Sequence, residues 1–302
     1  MGKKIKRYLP VYVMMLPGLL YLFINNYIPM AGLVTAFKQV NFSMGIWDSP
    51  WVGLKNFEFL FKTSEAMTIT RNTILYNVAF IVIGIVFGIF LAILISEIAH
   101  EKIRKLYQSA VLVPFLMSIV IVSYIVYAFL SAENGLINNT ILPALGKEPI
   151  NWYSEPKYWP FILIFVHTWK GIGYGCLIYL STINGIDKSL YEAASLDGAG
   201  KWKQIRYVTL PALKGTVIVL TLLNIGKIFY ADFGLFYQVP MNAGQLYDVT
   251  NVIDTYVYRS LLQLGNTGMA AAAGFYQSVV GFILVMVSNL IVKKINPENA
   301  LF

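Results

Sequence analysis

Charged residues are scarce in this sequence. Only 13% of its 302 residues are Asp, Glu, Lys or Arg, whereas 57% are hydrophobic. A soluble domain needs more charged surface than this, and the apolar residues come in long runs instead of alternating with polar ones. The composition therefore argues against a soluble enzyme.

Cysteine and histidine are also nearly missing. Cys176 is the single cysteine, so an internal disulfide is excluded, and its apolar surroundings favour a small core residue. His100 and His167, the two histidines, lie far apart in the predicted topology. The sequence contains no HExxH or Cys/His metal pattern and no G-x-x-x-x-G-K-[ST] run. We therefore predict no metal site, no catalytic residues and no P-loop in this chain.

The chain is basic, with a formal net charge of +8. Such an excess can indicate nucleic-acid binding, but basic and aromatic residues do not alternate along any face of this chain. In membrane proteins a basic excess usually reflects loop charges that determine topology. Nucleic acid is therefore not an expected partner, whereas membrane lipid is.

Six apolar runs are long enough to cross a bilayer, which requires about 20 mainly apolar residues per helix. The first follows "KKIKR", which also resembles the start of a signal peptide. We interpret it as a retained helix because the run is long, contains Pro17 and Pro29, and is not followed by an A-x-A site. The predicted spans are 11–36, 74–96, 108–131, 159–183, 212–236 and 268–292.

The distribution of Lys and Arg indicates the orientation of these spans. With the N-terminus in the cytoplasm, the inside segments carry 14 such residues and the outside segments carry 7. This excess predicts that both termini are cytoplasmic. Three long outside segments contain many aromatic residues, and they form either ordered caps or a docking surface for an external partner: 37–73, 132–158 and 237–267.

One cytoplasmic stretch between spans four and five, "YEAASLDGAGKWKQIRYVTLP", is polar in otherwise apolar surroundings. Asp187 or Ser189 can cap a first short helix, and Ser189 with Glu192 fits a capping box. Gly198 can end this helix because glycine adopts the left-handed conformation without a Cβ penalty. A second short helix follows, and we expect Pro211 to end it. The stretch is thus predicted to be a helix–Gly–helix element facing a cytoplasmic partner.

The pattern "EAASLDGAG…I…LP" resembles the EAA loop of ABC importer permeases. The N-terminal "LPGLLYLFINNYIPMAGLVTAF" and the tail from "DVTNVIDTYVYRSLL" to the C-terminus resemble the polysaccharide-type permeases among the carbohydrate importers. The resemblance covers essentially the whole chain, although some relatives carry a second proline where this chain has Lys214 and Gly215. It implies contact with a cytoplasmic ATPase for the matching residues Glu192, Ala193, Ala194, Asp197, Gly198, Ile205, Leu210 and Pro211.

The resemblance implies an all-α membrane protein with six transmembrane helices, in which one N-terminal helix precedes a five-helix permease core. The corresponding domains are an N-terminal helix with an extracellular segment (1–73), the core (74–293) with its coupling loop (184–211), and a cytoplasmic tail (294–302). The expected location is the bacterial plasma membrane.

The same resemblance implies that the chain is a permease subunit of an ATP-driven importer of oligosaccharides, and not itself an enzyme. Its expected partners are a second homologous permease subunit, cytoplasmic ATP-binding subunits and an extracellular solute-binding protein. ATP and Mg²⁺ are then bound by the partner ATPase, and no cofactor is expected on this chain.

Polar residues inside the apolar spans are candidates for a passage, because charges within a bilayer are costly and usually functional. Sugars suit such a passage, since hydroxyl groups need hydrogen-bonding partners and pyranose faces stack on aromatic rings. The candidates are His167, Lys170 and Tyr174 in span four, Asn224, Lys227, Tyr230 and Asp232 in span five, and Tyr276 and Gln277 in span six.

Three alternatives remain open from the sequence. In the first, Lys170, Lys227 and Asp232 pair with one another and only hold helices together. In the second, the chain is a self-contained secondary transporter that uses His167 and Asp232 as proton relays. In the third, the same permease core carries another solute, such as phosphate or a peptide.

Overall fold

The protein is built from helices. The computed structural model describes residues 2–295 and 297–300, so residues 296, 301 and 302 of the predicted tail 294–302 lie outside the described residues. Within the described residues, five helices are long and apolar enough to span a membrane, and one bent helix pair adds a sixth span. The prediction of an all-α membrane protein is confirmed.

The main helices have the following bounds. They are α1 (Gly2–Leu22), α2 (Ser64–Ser96), α3 (Glu101–Leu116), α4 (Ile119–Leu130), α5 (Trp159–Asn184), α6 (Lys188–Leu196), α7 (Lys201–Ile225), α8 (Phe233–Gln238), α9 (Ile253–Leu264) and α10 (Thr267–Ile295). Short helical turns lie at Gly45–Asp48, Lys55–Phe57, Phe59–Lys62, Leu142–Ala144, Trp152–Ser154, Pro156–Tyr158, Gly244–Leu246, Tyr247–Thr250 and Pro297–Asn299.

The chain divides into two compact units, one of residues 1–63 and 257–278 and one of residues 64–256 and 279–302. In the first unit, α1 continues through further helical turns to Phe37, and its large apolar side chains from Tyr8 to Leu22 are exposed. The loop that follows is held by Asn56, whose side-chain amide donates to the carbonyls of Ala36 (3.0 Å) and Lys38 (2.9 Å).

The core of the second unit is centred on α5. At one end of this helix, the fully buried Trp159 and Leu163 pack in a cluster with Tyr76 and Phe80 of α2 and Phe236 of α8. At the other end, a second buried cluster joins α2, α5 and α7, and it contains Ala92, Ile95, Cys176, Tyr179, Leu180, Ile183 and Leu213. Cys176 is thus a core residue, as predicted.

The span predicted at 74–96 is shorter than the observed helix. Helix α2 begins at Ser64, ten residues before the predicted start of the span at 74. The prediction placed 64–73 in an outside loop because this stretch is polar, but it is helical and Asn72 and Thr73 are buried within the unit. The span predicted at 159–183 agrees with α5 to within one residue.

The span predicted at 108–131 is not a single straight helix. Helices α3 and α4 meet at an angle of 92°. The break follows Pro114, which lacks an N–H and weakens the last turn of α3. Met117 and Ser118 are extended, and the Ser118 hydroxyl caps α4 by accepting from the amide of Ile121 (3.3 Å). The sequence analysis missed this bend because apolar residues continue across it, so the hydropathy does not change there.

A lysine from α5 holds the end of α3 at this bend. The Lys170 ammonium donates to the carbonyl oxygen of Phe115 (3.2 Å) and lies 5.6 Å from the centre of its ring. Tyr174, one turn further along α5, stacks on the same ring. A carbonyl that the helix leaves unsatisfied therefore receives a charged donor.

The span predicted at 212–236 is wrong at its second end, because α7 stops at Ile225. Residues 226–232 form a turn, and α8 begins at Phe233. Helix α7 ends where its backbone meets that of α10, since a Cβ built on Gly281 comes within 2.7 Å of the Gly226 carbonyl oxygen. The apolar composition of the stretch had suggested an uninterrupted helix.

Pro211 does not end a helix, contrary to our expectation, because α7 runs through it without a break. A π turn at Ile205–Thr209 immediately precedes it. A proline ring collides with the carbonyl four residues earlier in a regular α-helix. That carbonyl belongs to Tyr207, within the wider π turn, so the helix absorbs the proline.

The close packing of α5 against α3 predicts that alanine is tolerated at one glycine of α5 and not at another. A Cβ on Gly173 would collide with the backbone carbonyl of Val111, whereas a Cβ on Gly175 meets nothing within 4 Å. Gly173→Ala should therefore destabilise the protein by at least about 1–3 kcal/mol, and Gly175→Ala should preserve the fold. Thermal unfolding in mild detergent tests this pair, and equal stability of the two variants would contradict the close α3–α5 contact.

Candidate functional site

The polar stretch between the fourth and fifth predicted spans begins with a capped helix. Asp187, and not Ser189, is the N-cap of α6, and its side chain accepts a hydrogen bond from the Ser189 amide (2.9 Å). The proposed capping box between Ser189 and Glu192 is therefore wrong, because the helix starts two residues earlier. The hydrogen bond from the Ser189 amide favours the ionised carboxylate and lowers the pKa of Asp187.

Gly198 ends α6 as predicted. Its φ of +74° is left-handed, and the two hydrogen bonds of a Schellman motif surround it. The Ala199 amide donates to the Ala194 carbonyl (2.9 Å), and the Gly198 amide donates to the Ser195 carbonyl (3.0 Å). The chain reverses here and enters α7 through Gly200, which has an ordinary φ of −66°.

Side-chain hydrogen bonds join α6 firmly to α7. The amide of Gln204, a buried residue, donates to the Ser195 hydroxyl (2.8 Å) and to the Ala199 carbonyl (3.1 Å). The hydroxyls of Tyr191 and Thr209 lie 2.9 Å apart. The two helices therefore form one element, and α7 carries it without interruption toward the centre of the unit.

The surface of this element is exposed. Six of the eight residues predicted to contact an ATPase are exposed, while Ala194 and Ile205 are partly buried. Leu196 and Trp202 were not among the predicted residues, yet they are 90% and 84% exposed. Large apolar side chains that flank a polar turn are typical of a protein interface. The sequence could have pointed to these two residues, because they lie on either side of Gly198.

Two cavities lie next to each other within the second unit. The first, of about 320 Å³ and called here the Lys227 cavity, contains the turn that follows α7. The second, of about 230 Å³ and called here the glycine cavity, lies between α2 and α5. They share Phe80, Ile81, His167 and Asn224 in their linings, so together they form one cleft.

The glycine cavity owes its space to missing side chains. Gly84 of α2 and Gly171 and Gly175 of α5 line it, and a Cβ at any of the three meets nothing within 4 Å. Gly173, between the last two, faces α3 instead. The sequence "GIGYG" at 171–175 signalled both the close helix packing and the opening, but we had not interpreted it.

The structure brings together five of the nine predicted passage residues in the Lys227 cavity: His167, Asn224, Lys227, Tyr230 and Asp232. The imidazole of His167 stacks on Phe80, with 3.6 Å between ring centres. Asp232 accepts a hydrogen bond from the Leu235 amide (3.1 Å) at the start of α8. Its carboxylate therefore caps a helix, while the Lys227 side chain is exposed in the cavity.

The remaining four predicted residues are placed elsewhere. Tyr174 lines the glycine cavity, whereas Lys170 lies at the bend between α3 and α4. Tyr276 and Gln277 belong to the other compact unit, where the Tyr276 ring packs edge-on against Phe61 and Gln277 is buried. The spacing of Asn224, Lys227 and Tyr230 does not describe a helical face, because α7 ends at Ile225.

Comparison with curated proteins supports a transport role. The chain is 36% identical over 288 residues to the polygalacturonan/rhamnogalacturonan transport system permease protein YteP of Bacillus subtilis (strain 168), covering 95% of this chain and 89% of that protein. It is 32% identical over 288 residues to Protein LplB of the same strain, covering 95% and 90% of the two chains.

Solved structures agree with these similarities. A chain of a bacterial ABC transporter involved in the import of the acidic polysaccharide alginate matches with a TM-score of 0.87 and 33% identity, over 98% of this chain and 99% of that one. A second match, with a TM-score of 0.87, 32% identity and 98% coverage of both chains, comes from the alginate transporter in complex with an alginate pentasaccharide-bound periplasmic protein.

A profile of the family described as "Binding-protein-dependent transport system inner membrane component" matches residues 84–297. This range covers well over half of the sequence, and it includes the exposed helix–Gly–helix element and most of the cleft lining, but not Asn77, Phe80 and Ile81. The chain belongs to the family of inner-membrane components of binding-protein-dependent transport systems.

Proposed function

We propose that this chain is the transmembrane subunit of an ATP-driven importer of acidic oligosaccharides, with the cleft as part of the passage. The observation that carries this proposal is the exposed Lys227 ammonium in the cleft of a chain whose relatives include a polygalacturonan/rhamnogalacturonan permease and an alginate importer. A second permease subunit completes the passage, and the importer receives its cargo from an extracellular solute-binding protein.

The side chains of the cleft suit a sugar acid. The ammonium of Lys227 can pair with a carboxylate, and Asn224 and Tyr230 supply donors and acceptors for hydroxyl groups. The imidazole of His167, which is held in place by stacking on the buried Phe80, offers a further hydrogen-bonding group. Asp232 also lines the cleft, where its carboxylate accepts from the Leu235 amide as the N-cap of α8 and stays charged. The proposed preference for an acidic sugar therefore rests on the Lys227 ammonium.

A pair of lysine substitutions tests the preference for acidic sugars. Lys227→Met removes the ammonium from the cleft, and loss of a charged hydrogen bond worth about 1.5–3 kcal/mol should reduce the preference for acidic sugar roughly ten- to hundredfold. Lys170→Met removes an ammonium from the bend instead, so it should lower thermal stability and leave the preference unchanged.

The measurement is uptake of an oligogalacturonate and of a neutral oligogalactose of equal length into vesicles. The vesicles contain the complete complex, and every arm uses the same binding protein, so that a change in the uptake ratio reports on the permease. An unchanged ratio in Lys227→Met would refute the assignment of an acidic substrate.

We further propose that the helix–Gly–helix element is the contact with a separate cytoplasmic ATPase, which binds the ATP and Mg²⁺. In this proposal Glu192, Ala193, Ala194, Asp197, Gly198, Ile205, Leu210 and Pro211 form or support the contact, and Leu196 and Trp202 supply its apolar part. The exposure of the two apolar side chains supports it. The element lies between the fourth and fifth of six spans, so both chain termini are on the same side of the membrane as the element. In this proposal that side is the cytoplasm, as the distribution of Lys and Arg also indicates.

The same substitution at two glycines tests this contact. Gly198→Ser places a side chain at a φ of +74°, which costs about 1–2 kcal/mol and strains the Schellman turn. Gly200→Ser is made at a φ of −66°, where serine is a favourable N-cap. A Cβ meets nothing within 4 Å at either position, so neither change creates a clash.

We expect Gly198→Ser to weaken co-purification of the ATPase and the stimulation of ATP hydrolysis by transported sugar. Gly200→Ser should behave like the unmodified protein. Normal co-purification and stimulation in both variants would place the ATPase contact elsewhere on the chain.

A further inference from the structure

The cleft depends on an irregular segment of backbone. Helix α7 ends at Ile225, and the turn of residues 226–232 carries the side chains of Lys227 and Tyr230 into the Lys227 cavity. Carbonyl groups in such a turn lack the regular partners of a helix, and leaving them without donors in apolar surroundings is costly. The position of Lys227 and Tyr230 therefore depends on what holds this segment.

One side chain of α2 holds it. The Asn77 side-chain nitrogen lies 3.0 Å from the carbonyl oxygen of Ile228 and 3.0 Å from that of Tyr230. It also lies 2.9 Å from the carbonyl of Thr73, one turn earlier on its own helix. From the other side, a carboxylate oxygen of Asp254 accepts a hydrogen bond from the Ala231 amide (2.7 Å).

We propose that Asn77 is a positioning residue for transport. Its amide fixes residues 228–230 against α2 and thereby sets where Lys227 and Tyr230 meet the passing sugar. This inference rests on the proposed function of the cleft as a passage. This position requires an amide, because the two carbonyls need a hydrogen-bond donor. A carboxylate of the same shape and an aliphatic side chain both lack one.

A second asparagine on the same helix provides a matched control. The Asn72 side-chain nitrogen likewise donates to two carbonyl oxygens, those of Asp248 and Asn251, each at 3.0 Å. These carbonyls belong to a segment that does not line either cavity of the cleft. Loss of either amide should disturb the fold in a similar way, but only the loss of Asn77 should disturb the cleft.

The experiment compares Asn77→Leu with Asn72→Leu in the complete complex. For Asn77→Leu we expect the apparent KM for an oligogalacturonate to rise by about tenfold or more, with a smaller change in maximal rate. For Asn72→Leu we expect less than a twofold change in KM. Asn77→Ser, which is too short to reach both carbonyls, serves as a second variant that is small enough to assemble if the leucine variant does not.

A labelling readout separates this inference from the proposed function. In a Cys176→Ala background, a cysteine is introduced by Tyr230→Cys and its reaction rate with a methanethiosulfonate reagent is measured. We expect the Asn77 variants to change this rate several-fold and Asn72→Leu to leave it unchanged. If Lys227→Met alters the uptake ratio while the Asn77 variants change neither KM nor labelling, the inference is overturned and the proposed function stands.

The opposite result is equally informative. If the Asn77 variants change labelling but Lys227→Met leaves the uptake ratio unchanged, Asn77 positions the segment and the acidic substrate is wrong. Equal effects of the Asn77 and Asn72 variants on KM and labelling would show that both asparagines only stabilise the fold, and would overturn the inference.

Discussion

Wherever a long apolar helix of this chain departs from regular geometry, some backbone groups lose their helical hydrogen bonds and need other partners. In lipid or in an apolar interior no water replaces a missing helical hydrogen bond. Three π turns are placed in the same way, two within long apolar spans and one in the short helix that ends at Ala144. Those at Phe23–Tyr27, Ile137–Ile141 and Ile205–Thr209 each end two residues before a proline, at Pro29, Pro143 and Pro211. The wider turn holds the carbonyl that the proline ring would otherwise meet.

Where the helix actually breaks, a side chain from a neighbouring helix provides the donor. Lys170 does so for the Phe115 carbonyl at the bend between α3 and α4, and Asn77 does so for the carbonyls of residues 228 and 230. Polar residues within spans therefore have two roles, holding backbone and lining the cleft, and Asn77 has both. Composition alone does not separate these roles.

This distinction explains how much the sequence could predict. Long apolar runs were enough for the class of fold, and Gly198 was identified from its place after a short helix. The break at 117–118 was missed because apolar residues lie on both sides of it. The break at 226–232 was missed because Lys227 and Asp232 were interpreted as passage residues and not as a sign of a turn. Lys170 and Lys227 looked equivalent because their different roles depend on contacts between distant parts of the chain.

The breaks also determine how the exposed helix–Gly–helix element can influence the cleft. Helix α7 runs from Lys201 to Ile225, about 37 Å at 1.5 Å per residue, and hydrogen bonds of Gln204 and Tyr191 join α6 to its first turns. Polar contacts join the region of α2 to α7 at one end and to the turn beyond α7 at the other. At one end an exposed ion pair joins Lys201 to Glu97, just past α2 (2.8 Å).

At the other end Asn77 binds the turn after Ile225. The exposed ion pair contributes only about 0–1 kcal/mol, and the Asn77 amide donates to the carbonyls of Ile228 and Tyr230. On the proposed function, a displacement of α6 by the ATPase would be carried along α7 to this turn, because Gln204 and Tyr191 join α6 to α7. The turn holds Lys227 and Tyr230 in the wall of the cleft, so the hydrogen bonds of Asn77 decide how the displacement reaches these two side chains.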